Sequence, residues 1–501
     1  MKVKVLSRSD ASWKGTSDGP GAVRRTGRNP AAHLHPPSRP LEAVRALNAA
    51  KVGRMLARPF LFSLAPGHVD GVYGLARSRV STALVASASA DGELKLWHLP
   101  SQRAIAARTP LPRAFIRDVS FSHDSSRVLA VSDAKLIYAM RVATDGDALQ
   151  TRAGPVEGVG GVYGGEETAA GAAAAAGGEM SYLASAPLSA IDAHYKRPLF
   201  ATASDAVEVW DETRSEPLQR LTWGVDSLHT VSWNPVERDL LASAASDRSV
   251  TLYDIRERTP LRKLVMALRA NAVAWNPMEA FNFTIGCDDG NCYSFDMRRL
   301  GGASGSKAKG PQTAGTARPR GGVGPAVGAR AVHKDHVGAV MSVSYSPTGR
   351  EFASGSYDRT VRLWDTEAGR SKEVYHTKRM QKVFSVLYSG DGRYVLSGSD
   401  DSDVRVWKAD ASRPIKPLLP PEQAAINYAT AVVERHAALP DVRRIAKKRH
   451  VPKPIKTAQR IRAEIAANEV RKHRNVVANS AKGAVPKRKP ERQRSIVREL
   501  E

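Results

Sequence analysis

The sequence predicts an all-β fold, a seven-bladed β-propeller, on three observations. Seven segments repeat one order: an alternating apolar strand, a turn, a Ser/Ala/Gly-rich strand, an Asp turn, then an alternating run closing on an aromatic. The closing aromatics Trp97, Tyr138, Trp210, Tyr253, Phe295, Trp364 and Trp407 are spaced 41, 72, 43, 42, 69 and 43 residues apart. The two long gaps hold Gly/Ala-rich insertions at about 145–180 and 300–332, and removing them restores the period. Period-two alternation means strand, and the Asp/Gly/Ser punctuation means tight turns. Each unit therefore reads as a four-stranded antiparallel sheet that cannot cover both of its own faces. Seven such sheets packed radially cover one another and leave only short edges.

The forty-odd residue period, Gly-His starts and Trp-Asp ends resemble the WD40 pattern. The sixth repeat carries it best, with His336, Ser354, Asp358 and Trp364-Asp365; the first has Gly67-His68, Ser87, Asp91 and Trp97. The resemblance implies that each quartet forms a buried hydrogen-bonded tetrad, because a buried His and Asp need mutual partners. A Ser-His-Asp set also invites a hydrolase reading. It recurs at the blade period, however, and no nucleophile elbow or oxyanion loop accompanies it, so no residue is assigned as catalytic and an enzyme is not expected. The second repeat is the weakest, lacking both Gly-His and the closing Trp. By analogy with WD40 proteins, Pro59-Phe60-Leu61-Phe62-Ser63-Leu64 should supply the outer strand of the last blade and close the ring. Trp233-Asn234-Pro235 and Trp275-Asn276-Pro277 read as inner-strand ends with core tryptophans.

Charge is segregated. Of a formal +25, residues 1–60 hold 12 Lys+Arg against 3 acids, and residues 421–501 hold 20 against 8. Residues 299–334 add seven Lys/Arg with no acid before Asp335, which leaves the rest of the body slightly negative. Three segments follow: a basic N-terminal arm over 1–56, the propeller over 57–412, and a basic helical C-terminal extension over 413–501. Such segregation favours contact with a polyanion. No run is long and apolar enough for a membrane span or a signal core, so an intracellular chain is expected. Cys287 and Cys292 are too few for a disulfide framework or a zinc site. The Asp288-Asp289-Gly290-Asn291 turn between them lacks the later Glu of a calcium loop. No metal and no cofactor is expected, nor a small-molecule substrate.

In the extension, Pro420-Pro421-Glu422 reads as a helix start, and a second helix is predicted over about 456–476. The candidate phosphate contacts are Arg443, Arg444, Lys447, Lys448, Arg449, Lys453, Arg460, Arg471, Lys472, Arg474, Lys487, Arg488 and Lys489. Lys and Arg on helices neutralise backbone phosphates and give salt-dependent, sequence-poor binding. Tyr428 is the only aromatic after Trp407, which argues against base stacking on the tail.

Several stretches resemble one WD40 family, the suppressor-of-fibrillarin (Sof) proteins of the nucleolus. They are Met1-Lys2-Val3-Lys4-Val5-Leu6-Ser7-Arg8, Arg45-Ala46-Leu47-Asn48-Ala49, Trp275-Asn276-Pro277-Met278-Glu279-Ala280-Phe281, Glu373-Val374-Tyr375-His376-Thr377-Lys378-Arg379-Met380-Gln381, and Arg443-Arg444-Ile445-Ala446 leading to His450-Val451-Pro452-Lys453. The resemblance implies a non-enzymatic nucleolar scaffold of the small-subunit processome. Its implied partners are pre-rRNA, the box C/D small nucleolar RNA and other processome proteins. An alternative is a substrate receptor of a cullin-RING ubiquitin ligase. Some WD40 proteins dock on that ligase's DNA-damage-binding adaptor through a blade-ending Trp-Asp-x-Arg. Tyr253-Asp254-Ile255-Arg256 and Phe295-Asp296-Met297-Arg298 approximate that box, which makes Arg256 and Arg298 candidate adaptor contacts; the competing reading is that both arginines pair with neighbouring carboxylates.

Overall fold

The third strand of each repeat places apolar side chains on both faces, as in Val361–Asp365, where all four residues before Asp365 are buried. A single sheet of this composition would expose one face to water, and radial stacking removes that exposure. The structure, a computed structural model, describes residues 33, 38–110, 114–142, 180–222, 227–257, 260–300, 328–481, 484–485, 488 and 490–500. Most of the expected basic arm before Ser38, the bulk of both insertions, Lys487 and Lys489 lie outside the described residues.

Seven antiparallel sheets form the blades. Blade one consists of Val72–Arg77, Leu84–Ser89, Leu94–His98 and Arg103–Arg108, and blade two of Ile116–Phe121, Arg127–Ser132, Leu136–Arg141 and Met180–Leu183. Blade three consists of Ala190–Ala193, Leu199–Ala203, Val207–Asp211 and Pro217–Leu221. Blade four begins Leu228–Trp233, Leu240–Ala245, Ser249–Asp254 and Pro260–Met266; blade five is Ala270–Trp275, Asn282–Cys287, Asn291–Asp296 and Ala331–Lys334. Blade six is Val340–Tyr345, Glu351–Ser356, Val361–Asp365 and Ser371–Tyr375, and blade seven starts Val383–Tyr388, Tyr394–Ser399 and Val404–Lys408. Its fourth strand is Phe60–Ser63, from the other end of the ring, with Phe60 opposite Trp407 and Ser63 opposite Arg405. The closure expected from the sequence is therefore present. Both insertions sit between the third and fourth strands of their blades, two and five. They end slightly earlier than expected, because the fourth strands already begin at Met180 and Ala331.

The innermost strand of every blade has one edge with no strand beside it, so side chains of the neighbouring blade satisfy part of its backbone. The Ile191 N–H donates to Asp118 (3.1 Å) and Ala193 N–H to Ser120 Oγ (3.1 Å). Trp233 N–H donates to Asp192 (2.8 Å), Val386 N–H to Ser342 Oγ (3.1 Å) and Tyr388 N–H to Ser344 Oγ (3.1 Å). Asn234 and Asn276, both buried, donate to Ala280 O (2.7 Å) and Gly349 O (3.1 Å) one blade on. Trp233 and Trp275 are buried, in agreement with their reading as core residues.

The helices divide between two units. The first comprises residues 1–59 and 410–450, with α1 (Ser38–Met55), α2 (Pro420–Arg435) and α3 (Pro440–Ala446). Its core is Ala46, Ala50, Val432 and Val442, flanked by Leu47, Val433 and Ile445. The second comprises 60–409 and 451–501: the ring with α4 (Lys453–Ala478), α5 (Glu491–Arg494) and a last strand, Ile496–Leu500. Two expectations are corrected here. The extension over 413–501 is not one body, since the chain changes unit at 410 and again at 451. Nor is its end helical: Ile496–Leu500 pairs antiparallel with Pro260–Met266 and gives blade four a fifth strand. Ile496 is buried and Val497 exposed, the alternation of a strand with one face covered.

Replacing Ile496 by Asp should cost about 2 kcal/mol, the scale of burying one such side chain. Hydrogen exchange should then report weaker protection at Ala267, whose N–H donates to Ser495 O (2.8 Å) at the end of the strand that the tail covers. Unchanged exchange there would refute the pairing.

Candidate nucleic-acid interface

The polar clusters inside the ring decide whether this is a catalytic molecule. In blade six, His336 Nδ1 lies 2.9 Å from Asp358 Oδ2 and its Nε2 2.6 Å from Ser354 Oγ. Trp364 Nε1 donates to the same Oγ at 2.7 Å, and Thr360 bonds Asp358 at 2.5 Å. Every member is buried, so each polar atom is spent on the others. Burial pushes the His336 imidazole down, and despite its own burial the Asp358 carboxyl stays well below the usual range through His336, Arg362 and Thr360. Blade one departs from expectation. His68 and Trp97 meet Ser87 Oγ at 2.6 and 2.7 Å, but Asp91 accepts from the Val69 N–H (3.1 Å). Glu93 stands where the tetrad Asp was expected, with Oε2 3.2 Å from His68 Nδ1. Asp91 is therefore a turn residue. Glu93 holds the position that Thr360 has in blade six, two residues after the turn Asp, and so brings a second carboxylate within reach of the ring. His68, Asp91 and Glu93 cluster closely enough to suggest a metal, but Lys95 Nζ lies 3.0 Å from Glu93 and already compensates its charge.

Both cysteines are buried free thiols, and burial raises their pKa values, so neither is an activated nucleophile. The carboxylates of the turn between them are engaged: Asp288 with Asn271, and Asp289 with Asn291 and Tyr293. Asp118 has its carboxyl raised to about 7 by burial, but it binds the Ile191 and Val119 N–H groups as an inter-blade stitch.

Arg256 ion-pairs with Asp239, and its own N–H meets Asp254 at 3.0 Å. Arg298 lies 3.2 Å from Asp296 and 4.6 Å from the centre of the Phe281 ring. Both arginines thus pair with neighbouring carboxylates, although their side chains remain largely exposed.

The eleven described basic tail positions fall on two bodies. Arg443, Arg444, Lys447 and Lys448 are exposed on and after α3 in the first unit. Arg449 is half-buried and donates to Ala446 O (3.0 Å) and Lys448 O (3.3 Å), so it caps the end of α3. The rest belong to the second unit. Arg488 is drawn back to Glu469 (3.4 Å) and is not an open contact. On α4, about 100° of rotation per residue puts Lys453, Lys456, Arg460, Arg471 and Arg474 on one exposed stripe. It runs about 32 Å along the helix. Lys472 points elsewhere on the helix. The opposite side holds the helix to the ring: Ile455 is buried, Gln459 donates to Asp335 O, and Arg462 donates to His336 O (3.0 Å) and Val337 O (2.8 Å). Sequence reasoning missed these anchors and Lys456. A helical wheel centred on Ile455 would have separated Arg462 from the stripe. The arrangement offers five cations on a rigid rod, which suits phosphate neutralisation.

A Sof1-like domain model matches residues 409–496, and a WD domain, G-beta repeat model matches 60–98, 329–365 and 372–408, the regions of blades one, six and seven. DDB1- and CUL4-associated factor 13 of Danio rerio is 38% identical over 97% of both chains, and that of Homo sapiens is 37% identical over 97% of both. Protein SOF1 of Saccharomyces cerevisiae is 35% identical over 92% of this chain and 88% of its own.

One further buried group makes the ring sensitive to acid. His333, fully buried, lies 3.1 Å from Ser294 Oγ and 2.7 Å from Ala368 O, and burial pushes its pKa from 6.5 down to about 4. The folded state therefore binds fewer protons between those values, and its stability falls as pH drops from 6.5 towards 4. Urea unfolding at pH 7.5 and 4.5 should show His333→Gln losing about 2–3 kcal/mol less than the unaltered chain. Equal losses would show that His333 does not carry this dependence.

Proposed function

The chain belongs to the Sof1-like family of WD40-repeat proteins, and from that premise we propose that it is a non-enzymatic scaffold of the small-subunit processome. It acts in pre-rRNA processing and small-subunit biogenesis, in the nucleolus, alongside the box C/D small nucleolar ribonucleoprotein. The observation that carries this reading is the exposed cationic stripe on α4, a helix held to a ring whose His336, Ser354 and Asp358 are buried and hydrogen-bonded to one another. A rigid ring offers edges and loops to protein neighbours, while the stripe meets RNA phosphates. Binding through it is salt-dependent and indifferent to sequence, because phosphate contacts carry no base information. Arg443, Arg444, Lys447 and Lys448 form a second cationic group for the same kind of contact.

The decisive test leaves the tail in place, because cutting the chain at Lys408 would also strip the fifth strand from blade four. Lys453→Glu, Arg460→Glu, Arg471→Glu and Arg474→Glu together should leave the ring folded. The variant should no longer co-sediment with large pre-ribosomal particles, and in-cell RNA crosslinks to α4 should disappear. The slope of log affinity for RNA against log salt should shrink by about 0.7–0.9 for each phosphate no longer neutralised. Unchanged sedimentation and slope would remove the stripe from the mechanism.

A second reading, a receptor for a cullin-RING ligase, draws support from the name carried by the vertebrate relatives. Since both candidate arginines are engaged with Asp239 and Asp296, we expect Arg256→Ala with Arg298→Ala to leave retention of a DDB1-type adaptor unchanged. Loss of the adaptor in a pull-down of that variant would place the contact on this edge of blades four and five.

A further inference from the structure

Helix α1 buries its small residues and exposes its large ones. Ala46 and Ala50 are its fully enclosed positions, packed with Val432 and Val442. On the opposite side Leu41, Val44, Val52 and Met55 are 56, 53, 50 and 80% exposed. With Asn48 between them, these residues are spaced three, four, four and three apart, so they fall on one stripe about 21 Å long. The spacing follows the 3.6-residue period and keeps all five on one face, the pattern of an amphipathic helix that meets a partner there. A helix serving only the three-helix unit would gain more by turning Leu, Val and Met inward and its alanines out.

The flanks of the seam have one sign. Arg45 borders it on one side and Lys51 on the other, and both are exposed. Arg45 reaches only a neutral group, the Tyr428 hydroxyl at 3.3 Å, among the described residues. The single acid of the helix, Glu42, lies off the seam and is drawn to Arg435 (3.4 Å) and His436 (3.5 Å). We propose that the outward stripe of α1, Leu41-Val44-Asn48-Val52-Met55 bordered by Arg45 and Lys51, is the docking seam for an acidic amphipathic helix of another protein. Charge selects this occupant. A second copy of the chain would oppose like charges at the flanks. Residues 1–32 hold seven Lys+Arg against two acids and would be repelled as well. An RNA backbone would leave four aliphatic side chains without a counterpart. This goes beyond the RNA role proposed for α4 and is independent of it, since it concerns the other unit.

The test uses the full chain and two helical peptides with the same Leu/Ile heptad seam, one flanked by Glu and the other by Lys. Fluorescence anisotropy in low salt should show the Glu peptide binding at least tenfold more tightly, with the advantage shrinking as salt rises. Val44→Glu with Val52→Glu should cost at least tenfold while leaving circular dichroism unchanged, because both positions are exposed. Arg45→Glu with Lys51→Glu should reverse the preference between peptides. Equal binding of the two peptides, binding indifferent to Val44→Glu and Val52→Glu, or no binding of either would overturn the proposal. In cells, a photocrosslinker at Asn48 should capture an acidic helical segment of another protein. Crosslinks to residues 1–32, to a second copy, to RNA or to a segment without acidic flanks would overturn it.

Discussion

The architecture depends on satisfying the free edge of each innermost strand. A propeller removes lateral edges by closing on itself, but its inner strands still face a channel with unpaired backbone. Asp118, Ser120, Asp192, Ser342 and Ser344 supply the missing partners across blade boundaries. Each short polar side chain thereby joins two sheets that hydrophobic packing alone would hold less specifically. The ring closes at blade seven with Phe60–Ser63 on Val404–Lys408, so the first and last residues of the propeller stabilise one another. Because folding of the last blade requires the first strand, the ring is one cooperative body.

This explains why polar groups that look catalytic are not free to react. A buried carboxylate or imidazole is costly unless paired, and the ring pairs them repeatedly. The Trp–hydroxyl bond recurs at Trp97–Ser87, Trp210–Thr202, Trp364–Ser354 and Trp407–Ser397, whereas among the described residues a histidine joins it only in blades one and six. What remains for recognition is the material outside the blades. The tail meets the ring twice after α3, first as α4 held by Arg462 and then as an edge strand on blade four. A basic rod fixed at one face keeps its opposite face available at little conformational cost. The second unit thus carries the scaffold and the α4 stripe, while the first unit adds four exposed cations on and after α3 and, on α1, an apolar face with basic flanks.

The repeat period, the seven blades, the closing strand, the core tryptophans and the basic character of the tail were all legible in the residues. They rest on local alternation and composition, which a chain carries wherever it lies in space. Blade six was readable in full because its His, Ser, Asp and Trp stand at regular offsets. In blade one the same offsets pointed to Asp91, and only the fold showed Glu93 reaching the ring nitrogen, because a carboxylate two residues on swings to the same side of the turn. The tail's charge was evident, but its division into open, capping and anchoring cations was not. Arg449, Arg462 and Arg488 are as basic as Arg460, and what separates them is the surface each faces. Likewise nothing local marked Ile496–Leu500 as a strand, for five residues have no period long enough to declare themselves. Periodic pattern settles which elements form; which neighbour an element meets is settled by distant parts of the chain, because pairing and burial are properties of two surfaces rather than of one.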